Sequence, residues 1–278
     1  MPLDVVLKRL EEKARELRCD VIKMIGKAGS GHPGGSLSAL DIITYLYFHQ
    51  MRIDPQNPQW EGRDRFVLSK GHGCPALYAA LAGRGYFPKE ALWTLRDSTS
   101  MLQGHPDMTK TPGVDMTTGS LGQGFSCAVG MALGGKLQKK DFWVYVMLGD
   151  GEVQAGQVWE AAMAAAHYHL DNLIAVVDYN KLQVDGRVAA IMNIEPLVDK
   201  WRAFGWDTLE INGHVFEEIH QAFQKCTTRN GQPHVIIAHT VKGKGVSAME
   251  GNVAWHAGSP EKEKVPAYIA EIRGEQAP

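Results

Sequence analysis

The stretch GDGEVQAGQVWEAAMAAAHYHLDNLIAVVDYNKLQVDG, residues 149–186, decides how the chain is read. Gly149-Asp150-Gly151 follows the apolar run Val144–Leu148, and Asp178-Tyr179-Asn180 follows a second run, Leu173–Val177. Two buried-strand signals therefore each end in a carboxylate or an amide, with an Ala-rich helical pattern, Trp159–His167, between them. In a parallel α/β sheet, ligands sit outside the carboxyl ends of the strands, so Asp150 and Asn180 can meet there on one hard cation. Oxygen ligands beside a diphosphate suit Mg²⁺, and Gly151, expected to open the next helix, can offer backbone N–H groups to phosphate. Standing alone, Gly-Asp-Gly would be read as a tight turn.

Outward from this unit, Leu3, Leu7, Leu10, Ala14, Leu17, Val21 and Met24 recur at helical spacing and predict an amphipathic helix over 3–26. With about three heptads before the glycines of 26–35, docking on the chain's own body is favoured over a coiled coil. A second helix is expected over 37–50, with Ser36 as its N-cap. Strands are expected near 65–69, 143–148, 173–178, 206–211 and 234–240, alternating largely with helical patterns, which predicts a parallel sheet flanked by helices. The whole chain, 1–278, is expected as one domain: the helix 3–26, a core 27–260 and a tail 261–278 that reads as a linker or loose end.

Lys and Arg number 29 against 31 Asp and Glu, so no net charge draws the chain to nucleic acid or an anionic membrane. Cys19, Cys74, Cys127 and Cys226 are widely spaced, without a Cys-x-x-Cys pair, and are expected as reduced thiols. The charged N-terminus and the lack of a membrane-length apolar run make a cytoplasmic enzyme the expectation.

Four further segments join glycine to histidine or lysine: Gly31-His32-Pro33-Gly34-Gly35, Lys70-Gly71-His72-Gly73, Gly104-His105-Pro106, and Lys242-Gly243-Lys244-Gly245 with His256 downstream. Glycine admits close backbone approach, and His and Lys supply donors for hydroxyls and phosphate oxygens. In this order the segments resemble the N-terminal, diphosphate-binding half of transketolase. The resemblance runs from about Arg15 to Pro260 through AGSGHPGGSLSALDII, DRFVLSKGHGCPALYAAL, GHPD, TTGSLGQGFSCAVGMA, the GDG segment and VKGKGV…WH.

The resemblance implies the thiamine-diphosphate-binding (PP-type) fold and the cofactors thiamine diphosphate and Mg²⁺, with Ca²⁺ or Mn²⁺ as substitutes. It implies that Asp150, the Asn180 side chain and the Leu182 carbonyl complete the metal's coordination, and that Gly151 donates to the diphosphate. Lys70, His72, Lys242 and His256 match positions lining the diphosphate, with His256 also facing the donor sugar. His32 and His105 match histidines that meet substrate oxygens. Gly119, Ser120 and Leu121 match the turn beside the aminopyrimidine, and Val184 matches an apolar contact to the thiazolium. The chemistry implied is transfer of a two-carbon ketol unit from a ketose phosphate to an aldose phosphate, in which nearby oxygens gain and lose protons. Histidine suits that task because its ordinary pKa lies near neutrality.

Two departures qualify this expectation. Ala155 stands where the family commonly has a glutamate of an acidic network between cofactor sites, whereas Glu160, matching a second member, is retained. The pyrimidine-binding and C-terminal domains of a full transketolase have no room in these residues, so a C-terminal partner subunit is expected, most simply in an α2β2 assembly. The competing readings are a subunit of the deoxyxylulose-phosphate synthase or 2-oxo acid dehydrogenase α type, and a non-catalytic subunit that binds cofactor or regulates a partner.

Overall fold

The computed structural model describes residues 1–275. Its centre is a parallel sheet in the order β1 (Arg65–Leu68), β2 (Val144–Gly149), β3 (Leu173–Tyr179), β7 (His234–His239), β6 (Asp207–Asn212). A two-stranded hairpin, β4 (Leu182–Gln183) and β5 (Gly186–Arg187), stands just beyond β3. All five expected strands form, each within two residues of its predicted limits; β1, β2, β3 and β7 are short apolar runs, whereas the edge strand β6 alternates polar and apolar residues.

Alternation along each strand builds the layers. Tyr145, Met147, Ile174, Val176, Ile236 and Ala238 face one apolar core. That core is shared with α1 (Leu3–Ala28), α2 (Pro33–Tyr45), α3 (Cys74–Arg84) and α8 (Phe216–Cys226). Val144, Val146, Leu173, Ala175, Val177 and Val235 face a second core, under α4 (Gln123–Leu137), α5 (Gly156–His167) and α7 (Leu197–Ala203). The short α6 (Val188–Ile191) follows the hairpin. Strands with both faces covered read as continuous apolar runs, which is why the sequence revealed β2, β3 and β7. Among the described residues, no helix is long and apolar enough to cross a membrane.

The register matters for function. Gly149 of β2 lies opposite Asp178 of β3, and Asp178 lies opposite Ala238 of β7. The carboxyl ends of these three strands are therefore level, and the residues that follow them emerge at one edge.

Several expectations need correction. The second helix begins at Pro33 with His32 as its N-cap; Ser36 is buried inside the first turn, its hydroxyl donating to the His32 carbonyl at 2.7 Å. Proline fits the first helical position because its missing N–H would have no partner there. The helix then passes into a π-helical turn, Leu46–Gln50. Gly151 does not open the long helix, since a 3₁₀ turn, Glu152–Gln154, intervenes and α5 starts at Gly156. The tail is not loose: α9 (Val265–Arg273) packs against α1, with Ala270 and Ile272 buried. Residues 276–278 of that expected tail lie outside the described residues. The stripe of α1 docks on the chain's own core, as expected, and the four cysteines are free thiols, Cys127 being half-buried and the others buried.

Candidate functional site

A cavity of about 390 Å³ opens at the carboxyl edge of β1, β2, β3 and β7. It is lined by His32, His72, His105, His256, Lys70 and Lys242, by Gly119 and Leu121, and by Asp150, Gly151, Asn180, Leu182 and Val184. These are the residues singled out from the sequence with one exception. Ser120, between Gly119 and Leu121, is not on the wall.

The histidines arrive from four separate loops. The His32 ring centroid lies 5.3 Å from that of His72, 6.2 Å from His105 and 5.8 Å from His256. Burial, then the Lys242 ammonium, push the His256 imidazole down to about 4. Burial, then Arg96, do the same to His32, also to about 4, and hold His105 below its usual value. His72 lies well below, through burial and the Lys70 ammonium. All four rings are thus neutral at physiological pH, able to accept on one nitrogen and donate from the other. The buried Nδ1 of His32 has no hydrogen-bond partner among the described residues, a polar atom left for a ligand.

Lys242 supplies the cavity's positive charge. Its ammonium lies 3.0 Å from the Leu182 carbonyl oxygen and 3.0 Å from His256 Nδ1. Burial, reinforced by Lys70, pushes it down to about 8. Gly34 makes room for it: a Cβ there would stand 2.8 Å from Lys242 Cγ and 2.7 Å from the Trp255 carbonyl oxygen. The glycine of Gly34 is therefore a packing requirement at this loop.

Lys70 lines the cavity, as expected, and also anchors its wall. Its side chain is buried, and its ammonium is paired with Asp178 and donates to the Gly35 carbonyl at 2.8 Å. Burial alone would raise the Asp178 carboxyl, but Lys70, Ser38 and Thr240 outweigh it and hold it below the usual carboxylate value. This ion pair pins α2 and the ends of β1, β3 and β7 to one another, and Lys70 reaches the cavity from that anchored position.

Asp150 faces the opposite balance. Burial, then the neighbouring Asp178 charge, push its carboxyl up to about 7, although it accepts from the Gly151 N–H at 2.8 Å and from the Lys181 N–H. The Gly151 N–H is thus engaged by Asp150 here. Asn180 Oδ1, meanwhile, accepts from the Leu182 N–H at 3.1 Å.

Glu152, Asp178, Ser38, Thr240, Gln154 and Gln183 were not picked out from the sequence, yet they build the walls or hold them. Gln154 Nε2 donates to Gln183 Oε1 at 2.6 Å, strapping the Asp150 loop to the β4–β5 hairpin. A signal was present for Asp178, a charge at the end of an otherwise apolar strand, where burial demands a partner.

A parallel α/β fold that gathers ammonium, imidazole and buried carboxylate groups in a cavity at the carboxyl ends of its strands has the form in which such sheets hold phosphorylated cofactors. The chain belongs to the transketolase family: residues 8–274 match the family described as "Transketolase, thiamine diphosphate binding domain". It is 51% identical over 268 residues to the 6-deoxy-6-sulfo-D-fructose transketolase subunit of Clostridium sp. (strain MSTE9), covering 96% of this chain and 98% of that protein. It is 44% identical to an apulose-4-phosphate transketolase subunit of Phocaeicola vulgatus, covering 95% and 93% of the two. Transketolase from Leishmania mexicana superposes with a TM-score of 0.90 at 32% identity, over 96% of this chain and 42% of that one. In extent the chain corresponds to the subunit of a split transketolase and spans less than half of the undivided enzyme.

Proposed function

We propose that this chain is the thiamine-diphosphate-binding subunit of a two-chain transketolase, moving a two-carbon ketol unit from a ketose phosphate to an aldose phosphate. The observation that carries this reading is the convergence, in one cavity, of neutral histidines, the Lys242 ammonium and the oxygens around Asp150, in a chain that matches split subunits nearly end to end.

The residues present fit a divalent metal with diphosphate. Among the described residues no group of three His, Cys, Asp or Glu side chains forms a metal site. What the site offers is one carboxylate, Asp150, one amide oxygen, Asn180, and one carbonyl, Leu182. That set is too poor for an all-protein cage and suits Mg²⁺ that takes its remaining oxygens from phosphate and water. A cation, the Lys242 ammonium, already rests on the Leu182 carbonyl. A bound metal would satisfy the Asp150 charge that burial disfavours.

When bound, thiamine diphosphate would supply the nucleophile for a ketose carbonyl. In this proposal Lys242, His72 and His256 hold the diphosphate, while Val184 and the Gly119–Leu121 turn receive the thiazolium and aminopyrimidine ends. His32 and His105, neutral and adjacent, orient substrate oxygens and carry protons to and from them. The roles divide by location. His105→Ala is expected to lower turnover on the order of 100-fold at saturating cofactor, with little change in cofactor requirement. His72→Ala is expected to raise the cofactor concentration needed for half activity about 10-fold and leave turnover at saturation much closer to wild type. Steady-state kinetics showing the opposite division would overturn these assignments.

The partner completes the site in this reading. A C-terminal subunit with the pyrimidine-binding domain would cover the cavity, most simply in an α2β2 assembly, and exposed Leu121, Val184, Ile191 and Met192 at or near the cavity offer it apolar surface. The purified chain alone is expected to show no ketol transfer, and mixing with its matching subunit is expected to restore it. Full turnover by the isolated polypeptide, with no second chain detected by mass spectrometry, would refute the two-chain reading.

A further inference from the structure

We infer that Glu152 is a positioning residue that sets three loops of the cofactor cavity at once. Its side chain is almost wholly enclosed, the residue being 3% exposed, and its carboxylate is directed inward among backbone donors. Oε1 accepts from the Ser69 hydroxyl and from the Gly122 N–H at 2.8 Å. Oε2 accepts from the Gly149 N–H at 2.9 Å.

Each donor belongs to a different wall. Ser69 immediately precedes Lys70, Gly149 immediately precedes Asp150, and Gly122 ends the turn that begins at Gly119. Gly122 has φ +86°, a left-handed conformation natural to glycine, so the N–H that Glu152 receives comes from a sharply turned segment. Gly124, at the start of α4, lies so close to Ser69 that a Cβ would stand 2.8 Å from the Ser69 Cα. The α4 start and the Ser69 loop are therefore in direct contact, and the Glu152 carboxylate fixes both relative to the Asp150 turn.

A carboxylate is required because all three partners donate. Glutamine has the same shape but only one accepting oxygen, and its amide would set an N–H group against either Gly149 or the Gly122 and Ser69 pair. Charge-assisted bonds to buried N–H groups are the stronger kind, and an unsatisfied buried donor is costly, so one of the turns must shift. Glu152 does not reach substrate in this account; it acts through the placement of Asp150, Lys70 and the Gly119–Gly122 turn, and this role rests on the cofactor reading given above.

The test uses Glu152→Gln and Glu152→Ala in the complex reconstituted with the C-terminal subunit. Calorimetric titration with thiamine diphosphate and Mg²⁺ is expected to show at least about 10-fold weaker binding for E152Q, and more for E152A, with a smaller loss of kcat at saturating cofactor. In the chain itself, hydrogen exchange at the Gly122 or Gly149 amide is expected to quicken in E152Q. Wild-type cofactor affinity in E152Q, or a lowered melting temperature with affinity unchanged, would overturn the inference. Should the wild-type complex fail to bind the cofactor, the cofactor reading falls separately. The exchange measurement then still decides whether Glu152 holds the two turns, unchanged protection at both glycines overturning it.

Discussion

Asp150→Ala is expected to weaken thiamine diphosphate binding on the order of 100- to 1000-fold while leaving the ligand-free chain as stable as wild type. The two halves of this expectation have one cause. Within the chain the Asp150 carboxylate is buried, lies near the Asp178 charge and makes no ion pair among the described residues, so burial disfavours its charge. Removing it relieves that cost. In the holoenzyme the same carboxylate would be the only full negative charge that the protein gives the metal, and losing one partner of a buried charge pair costs about 2–5 kcal/mol. Titration of the reconstituted complex with cofactor and Mg²⁺, beside thermal melts of the chain alone, measures both. Unchanged affinity would remove Asp150 from the metal site, and a large loss of ligand-free stability would make it a structural residue.

Arg18→Met is expected to lower the melting temperature on the order of 10 °C, although Arg18 lies outside the cavity. Arg18 Nη2 stands 3.0 and 2.9 Å from the two Asp41 carboxylate oxygens, joining α1 to α2. Its stem packs on Gly245, where a Cβ would come within 2.5 Å of Arg18 Cδ. Asp41 is also 2.7 Å from His214 Nδ1, and the other nitrogen of His214 accepts the Val241 N–H at 2.8 Å, one residue before Lys242. Breaking a buried pair by removing one partner costs about 3–5 kcal/mol, which for a chain of this size gives the stated shift.

The pH dependence follows from the sign of the Asp41 shift. Burial alone would raise its carboxyl, but Arg18 and then His214 outweigh burial and hold it below its usual value. A carboxyl depressed by folding contributes stability that is present above its unfolded value, about 4, and is lost as pH falls through the folded one. In R18M burial prevails, so the deficit against wild type is expected to be largest near neutrality and to narrow below about pH 5. Melts of both proteins between pH 8 and pH 4 test this, and a gap that stays constant across the range would contradict it.

These two residues show where the sequence is informative and where it is not. Asp150 was legible because it ends an apolar run, and an apolar run flanked by turn residues forms a strand in most contexts. The same local logic placed Asn180 at the next strand end, the Ala-rich crossover helix, the stripe of α1 and the glycine–histidine loops. Family resemblance then gave roles to residues whose spacing alone left them as ordinary turn histidines. Ser36 failed because two helix-start signals compete there, and proline at the first position outranked serine as a cap.

Arg18 shows the other side: beside the apolar stripe of an amphipathic helix it reads as one more solvated charge, and nothing local marks Asp41 or His214 as its partners. Lys70 and Asp178 are likewise far apart in sequence and adjacent only because β1, β2, β3 and β7 are neighbours in the sheet. Nothing local marks Glu152 either, yet two backbone N–H groups and the Ser69 hydroxyl close around its carboxylate. What the sequence by itself determined were the strands, the helices and the chemical kind of site at their ends, since these follow from short-range periodicity and turn chemistry. Which charges are buried, and against whom, was decided only by the tertiary structure, because a buried charge is stabilised by partners that strand order brings together and hydropathy does not record.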